Sequence, residues 1–171
     1  MCPFPRLAYR SRQFQRALLG PKTPVADSLL RPHLSPAQIS LFRRMQPSEQ
    51  AHASEVFARL TDVGQADPDL LAAALLHDAG KIRSPLTLPD RVLIVLGKRL
   101  FPQAVKRWGT GEPNGLLRPF VTAAQHPAWG AELSSAAGSA SRTCDLIRRH
   151  QDVPSADDPL LAALQEADDE S

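Results

Sequence analysis

Cysteine is scarce in this chain: the two that occur, Cys2 and Cys144, stand far apart in 171 residues. Such a pair gives neither a disulfide framework nor the close spacing of a zinc knuckle, and it points to a reducing compartment. Long apolar runs are missing as well. The longest, Leu70 to Leu76, falls far short of the ~20 residues that a bilayer span needs. The arginines near the start are not followed by an apolar stretch and a small-residue cleavage site, so the expected location is the cytoplasm, with no membrane partner. A net charge of only +2, from 20 basic and 18 acidic residues, argues against a protein built to coat nucleic acid. Strand-like alternation, internal repeats and low-complexity tracts are also lacking.

What remains is ordinary globular composition, 43% hydrophobic and 22% charged, in a length that fits one domain. The expected class is all-α, a single bundle of about six to eight helices. Residues 1–34 read as an N-terminal arm. It carries a helix over roughly Leu7 to Leu19, then a stretch broken by Gly20, Pro21, Pro24 and Pro32. The charge over the first 44 residues is lopsided, with Arg6, Arg10, Arg12, Arg16, Lys22, Arg31, Arg43 and Arg44 against the single acid Asp27. Residues 35–171 read as the domain proper.

Helix starts are written plainly there. Ser35-Pro36 and Asp67-Pro68 each place an N-cap before a proline at the first helical position. The run Leu70–Leu76 is apolar on all sides, as a central helix should be, with Gly80 as its stop. Residues 83–118 read as a less regular, substrate-facing connection around the apolar segment Val92–Leu100. A short helix over Phe120–Gln125 is expected to end at His126-Pro127, because a residue before proline avoids the helical region. A new helix then runs to about Ala137. The last two helices cover roughly Arg142–His150 and Pro159–Asp168.

The histidines are the chemically informative residues. His52 shares a face with Val56 and Leu60, and His150 follows Leu146 and Ile147 on an apolar stripe. His77 and Asp78 sit at the end of the central helix. Asp168, four residues after Leu164, is favoured over its neighbour Asp169 by the same periodicity. A carboxylate on an inward face is costly unless it is paired or bound to a cation, and imidazoles beside it suggest the cation. Mixed imidazole and carboxylate donors suit manganese, iron, nickel or magnesium, with zinc as an alternative. His33, in a proline-flanked loop, reads as surface. Asp69 and Asp152 read as capping or solvent-facing acids, and Trp108 and Trp129 as packing, with Trp129 near enough to His126 to line a pocket.

The segment Leu75-Leu76-His77-Asp78-Ala79-Gly80-Lys81 resembles the signature that names the HD superfamily of metal-dependent phosphohydrolases. The order of His52, His77, Asp78 and Asp168 is that superfamily's order, and His126 and His150 resemble the two histidines inserted in its two-metal members. The resemblance covers residues 48–169. It implies an HD-type helical bundle holding one or two divalent ions through His52, His77, Asp78, His126, His150 and Asp168, with Asp78 bridging. It also implies an activated water as nucleophile, Asp78 and Lys81 as catalytic residues, and Lys81 on substrate phosphate; Arg83 and either Arg148 or Arg149, beside helix ends, are added as candidate phosphate clamps. The implied substrate is a small phosphorylated molecule such as a nucleotide. The alternative is a catalytically silent domain serving regulation or nucleotide binding. The stretch Gln151-Asp152-Val153-Pro154 lacks the additional signature of the cyclic-di-GMP phosphodiesterase branch. Gln151 also replaces the threonine that follows the last histidine in diadenosine tetraphosphate hydrolases of this type, so neither substrate is carried over.

Overall fold

Proline opens most of the helices. A computed structural model describes residues 24–153 and 157–171; the helix expected over residues 7–19 lies outside them. Among the described residues there are nine α-helices and no strand. They are α1 (Asp27–Leu30), α2 (Pro36–Arg43), α3 (Pro47–Asp62), α4 (Pro68–Leu76), α5 (Leu88–Leu100), α6 (Pro102–Trp108), α7 (Arg118–Ala136), α8 (Ser141–Arg149) and α9 (Pro159–Asp169). Seven of these, α2 to α7 and α9, have proline at the first or second residue, where its missing N–H costs nothing. Ser35 and Gln38 form a reciprocal capping box at α2, and the Asp67 side chain accepts from the Leu70 N–H at α4.

The helix α4 is the axis of the bundle. All of Leu70–Leu76 is buried, and α3, α8 and α9 pack around it. Leu30 and Leu34, from the stretch read in the sequence as the end of a basic arm, join the same core. No helix among the described residues is long and apolar enough to cross a membrane. Asp67→Ala removes the cap of this central helix and is expected to cost about 1 kcal/mol. In a chain of this size that is a fall in melting temperature of roughly 2–4 °C, read by thermal denaturation.

Two expectations are corrected. Residues 83–118 are more regular than their glycines and prolines suggest, since they hold α5 and α6. The start of α5 is fixed by a capping box of Thr87 with Asp90. Its apolar residues face both ways, Ile94 inward and Val92, Leu93, Val95 and Leu96 outward, which hides the helical period. Ile94, Leu86 and Phe120 form a second, smaller core backed by Val105 and Trp108. The other correction concerns His126-Pro127, where α7 passes straight through instead of breaking. Proline withholds one main-chain donor, but His126, Pro127, Gly130 and Ala131 are all buried against neighbouring elements, and that packing holds the helical path.

Candidate metal centre

Five helices and one 3-10 turn deliver the candidate ligands. His52 lies mid-way along α3, His77 flanks the end of α4, and Asp78 leads into a 3-10 turn over Ala79–Ile82. His126 lies mid-way along α7, His150 flanks the end of α8, and Asp168 is in the last turn of α9. The α7 backbone rests directly on the turn at Gly80. A Cβ there would overlap the His126 carbonyl oxygen and lie 2.6 Å from the Gly130 nitrogen. This close approach brings the His126 imidazole to Asp78.

The far end is anchored by charge and by one amide. Asp158 caps α9 through the Leu161 N–H and receives Arg142 and Arg149; the Arg142 hydrogen bond, first among the causes, holds its carboxyl down at about 2. The Gln165 amide donates to the carbonyls of Arg149 and Asp152, either side of His150. Helix α9 is thereby locked to the end of α8, and Asp168 sits one turn beyond Gln165.

All six side chains meet. The ligand atoms fall into two groups, His52 with His77 and Asp168, and Asp78 with His126 and His150; within each group they lie no more than 4.8 Å apart. The two oxygens of Asp78 face different groups: Oδ1 is 3.3 Å from His126 Nε2, and Oδ2 is 3.6 Å from His77 Nε2. Asp168 Oδ1 is 2.8 Å from His52 Nε2 and 3.6 Å from His77 Nε2. Asp169, its competitor in the sequence, is exposed.

Hydrogen bonding fixes which nitrogen of each buried ring carries a proton. Nδ1 of His77 lies 2.9 Å from the Ala74 carbonyl, that of His126 lies 3.1 Å from Thr122, and that of His150 lies 2.7 Å from Ile147. A carbonyl oxygen only accepts, so each Nδ1 is the donor and each Nε2 of the neutral ring presents a lone pair to the centre. His126 and His150 then point lone pairs at one another across 3.3 Å, with Asp78 on one side. His77 Nε2 is fully buried with no hydrogen-bond partner. The donors that reach these two groups are the Lys81 ammonium on Asp78 and, at 3.5 Å, the Gln151 amide on His126, and neither reaches the His77 Nε2. Lone pairs converging in this way repel one another unless a cation lies between them.

The protonation states suit such a cation. Burial, reinforced by the charges of neighbouring histidines, pushes His150 down to about 3, and burial holds His126 below the ordinary imidazole range. Burial works against the charged forms of Asp78 and Asp168, but Lys81 and His77 around the first, and His77 and His52 around the second, outweigh it and hold both carboxyls low. Neutral imidazoles and ionised carboxylates are the forms that coordinate metal. His52 is the exception: burial lowers it, yet the Asp168 hydrogen bond and the Asp78 charge win and raise it. The centre is open on one side only. The His52, Asp168 and Lys81 side chains are 21%, 23% and 18% exposed, against 2% or less for His77, Asp78 and His126.

The structure treats the expected phosphate-binding residues differently. The Lys81 ammonium donates to Asp78 Oδ2 at 2.6 Å, at the edge of the cluster. Arg83 and Arg149 have their acid partners outside the cluster: Arg83 pairs through one nitrogen with Glu132 and lies over the Trp129 ring, and Arg149 pairs with Asp145 and Asp158. Trp108 packs between Phe101 and Phe120, and His33 against Phe57. Asp69 accepts from the Thr143 hydroxyl at 2.6 Å.

One participant was not foreseen. Glu49 is 2% exposed and reaches Lys81 Nζ at 3.5 Å with one oxygen and Arg91 at 2.5 Å with the other. Its position three residues before His52, on the same helical face, was the available signal.

Comparison with curated proteins and with solved structures returns no match. The family model for the HD domain matches residues 41–171, most of the chain and every residue of the cluster. With its all-α bundle and its His/Asp cluster around the His77-Asp78 doublet, the chain belongs to the HD domain family of metal-dependent phosphohydrolases.

Proposed function

We propose that this protein hydrolyses a phosphoester or phosphoanhydride bond in a small phosphorylated molecule, a nucleotide or a relative of one, using two divalent ions. One ion would be held by His52, His77, Asp78 and Asp168, the other by Asp78, His126 and His150. The observation that carries this reading is the inward convergence of lone pairs, above all the buried, unpartnered Nε2 of His77. Divalent ions in these positions would supply Lewis acidity, lowering the pKa of a water toward ~7 and taking up phosphoryl charge.

The chain's own residues do the rest. The carbonyls of Ala74, Thr122 and Ile147 fix the three buried rings in the ligating tautomer. Lys81, held protonated by Asp78 and Glu49 against the effect of burial, presents positive charge at the mouth, where a phosphoryl oxygen gains charge in the transition state. Arg83 and Arg149, engaged with acids outside the cluster, have no part in this reading.

The test is metal depletion followed by reconstitution with Mn²⁺, Fe²⁺, Ni²⁺, Mg²⁺ or Zn²⁺. Each preparation is assayed on mononucleotides, cyclic nucleotides and dinucleoside polyphosphates. We expect one ion per ligand group by elemental analysis, and product release only from reloaded protein. Bound metal and bound nucleotide without turnover on any member of the panel would assign the domain to a silent, nucleotide-binding role instead.

A further inference from the structure

Glu49 is a buried carboxylate that serves two cations, and what those cations have left to offer is informative. Arg91 reaches from α5 to the first turn of α3, where its Nη2 donates to Glu49 Oε1 at 2.5 Å and to Ser48 Oγ at 3.3 Å. Its Nη1 and Nε have no protein partner among the described residues, so three of its five N–H donors are unspent on a side chain that is 28% exposed. Lys81 uses its ammonium on Asp78 and Glu49 and also keeps a donor in hand. Two other part-buried guanidinium groups, Arg142 and Arg118, are more fully engaged. Arg142 is bound through both terminal nitrogens to Asp158, and Arg118 is divided among Asp90, Ser84 and Pro85.

The location matters equally. Ser48 and Glu49 lie one helical turn before His52, on the side of the cluster that is open to solvent. The chain Arg91–Glu49–Lys81–Asp78 runs unbroken from α5 into the metal centre. A guanidinium anchored on one nitrogen by a buried carboxylate, with the rest of its planar fork open, is preorganised for a phosphate-type oxyanion.

We propose that Arg91, aligned by Glu49 beside Lys81, forms an anion subsite next to the metal centre that takes a second, non-reacting phosphoryl group, so that the preferred substrates carry at least two linked phosphates. This rests on the metal-dependent hydrolase reading above and narrows its substrate class. Arg91 binds substrate here, and Glu49 is a positioning residue.

The experiment measures binding of methylenediphosphonate, which resists hydrolysis, and of inorganic phosphate to Mn²⁺-loaded protein with metal in excess, by calorimetry. The wild-type chain is expected to bind the diphosphonate at least about tenfold more tightly than phosphate, the scale of one charge-assisted contact. Arg91→Ala should erase that preference while leaving phosphate affinity and metal content unchanged. Arg91→Lys, which keeps the charge but loses the fork, should retain part of it and serves if the alanine variant folds poorly. Glu49→Gln should weaken diphosphonate binding without loss of metal. If Arg91→Ala and Arg91→Lys keep the wild-type preference, or if none exists in the wild type, the subsite is wrong while metal binding and phosphate binding stand. A protein that takes up no metal overturns both readings together.

Discussion

Asp78→Asn is expected to abolish turnover, by at least about a thousandfold, while leaving the helical bundle folded. The carboxylate faces both ligand sets: one oxygen approaches His126, and the other approaches His77 and receives Lys81. The amide keeps the shape but turns one of those oxygens into a donor and removes the charge that unites the two halves. Several kcal/mol of charge stabilisation are at stake, which gives the thousandfold figure. Two measurements separate this from simple unfolding. Circular dichroism should show unchanged helix content. The wild-type melting temperature should rise on adding Mn²⁺, since an ion bound only by the folded state at a hundred times its Kd stabilises by about 2.7 kcal/mol. That rise should vanish in Asp78→Asn. A variant that keeps both the thermal response and the turnover would remove Asp78 from the centre.

How far the sequence alone reaches can be seen residue by residue. The capped helix starts at Ser35-Pro36 and Asp67-Pro68 are local chemistry, and local chemistry survives folding. The inward faces of α3 and α8 follow from spacing, which is why His52 and His150 can be placed on them before any coordinates are seen. Asp168 was separable from Asp169 for the same reason, and the structure sets Asp168 against His52 and leaves Asp169 exposed. The unbroken path of α7 through Pro127 was not legible, because it depends on the burial of that segment against residues distant in sequence. The regularity of α5 was hidden by apolar residues on its outer side. Arg91 carried no signal at all. It lies 42 residues from Glu49, and nothing in either segment announces that α5 will cross the first turn of α3. Arg83 and Arg149, the arginines expected on phosphate, lie close along the chain to Lys81 and His150. Nearness along the chain does not say which carboxylate will capture a guanidinium once α7 and α9 have packed.

The same long-range packing makes Gly80→Ala the most disruptive alanine substitution among the described glycines. Its methyl would overlap the His126 carbonyl oxygen and press on the Gly130 nitrogen, and both are backbone atoms in the middle of a buried helix. Side chains can rotate away from such a contact, but α7 can relieve it only by moving off the turn, which carries His126 away from Asp78. Overpacking commonly costs about 1–3 kcal/mol, and a clash with main chain at two residues of one helix belongs at or above the top of that range. At ~2–4 °C per kcal/mol, the melting temperature should fall by roughly 6–12 °C or more. Two other glycines calibrate this. At Gly130 an added Cβ would meet the Ile147 Cγ2 at 3.1 Å and the backbone Gly80 nitrogen and His77 oxygen at 3.2 and 3.3 Å, tight contacts that need shifts of only a few tenths of an ångström, so Gly130→Ala should cost less. At Gly64, with φ of +82° and nothing within 4 Å, only backbone conformation opposes alanine, at roughly 1–2 kcal/mol. The expected order of destabilisation is Gly80 well above Gly130 and Gly64, and Gly80→Ala alone of the three should also lose the metal-dependent rise in melting temperature. Equal, mild losses at all three positions, with that rise intact, would mean that α7 does not lean on the His77-Asp78 turn and that His126 reaches the centre by some other support.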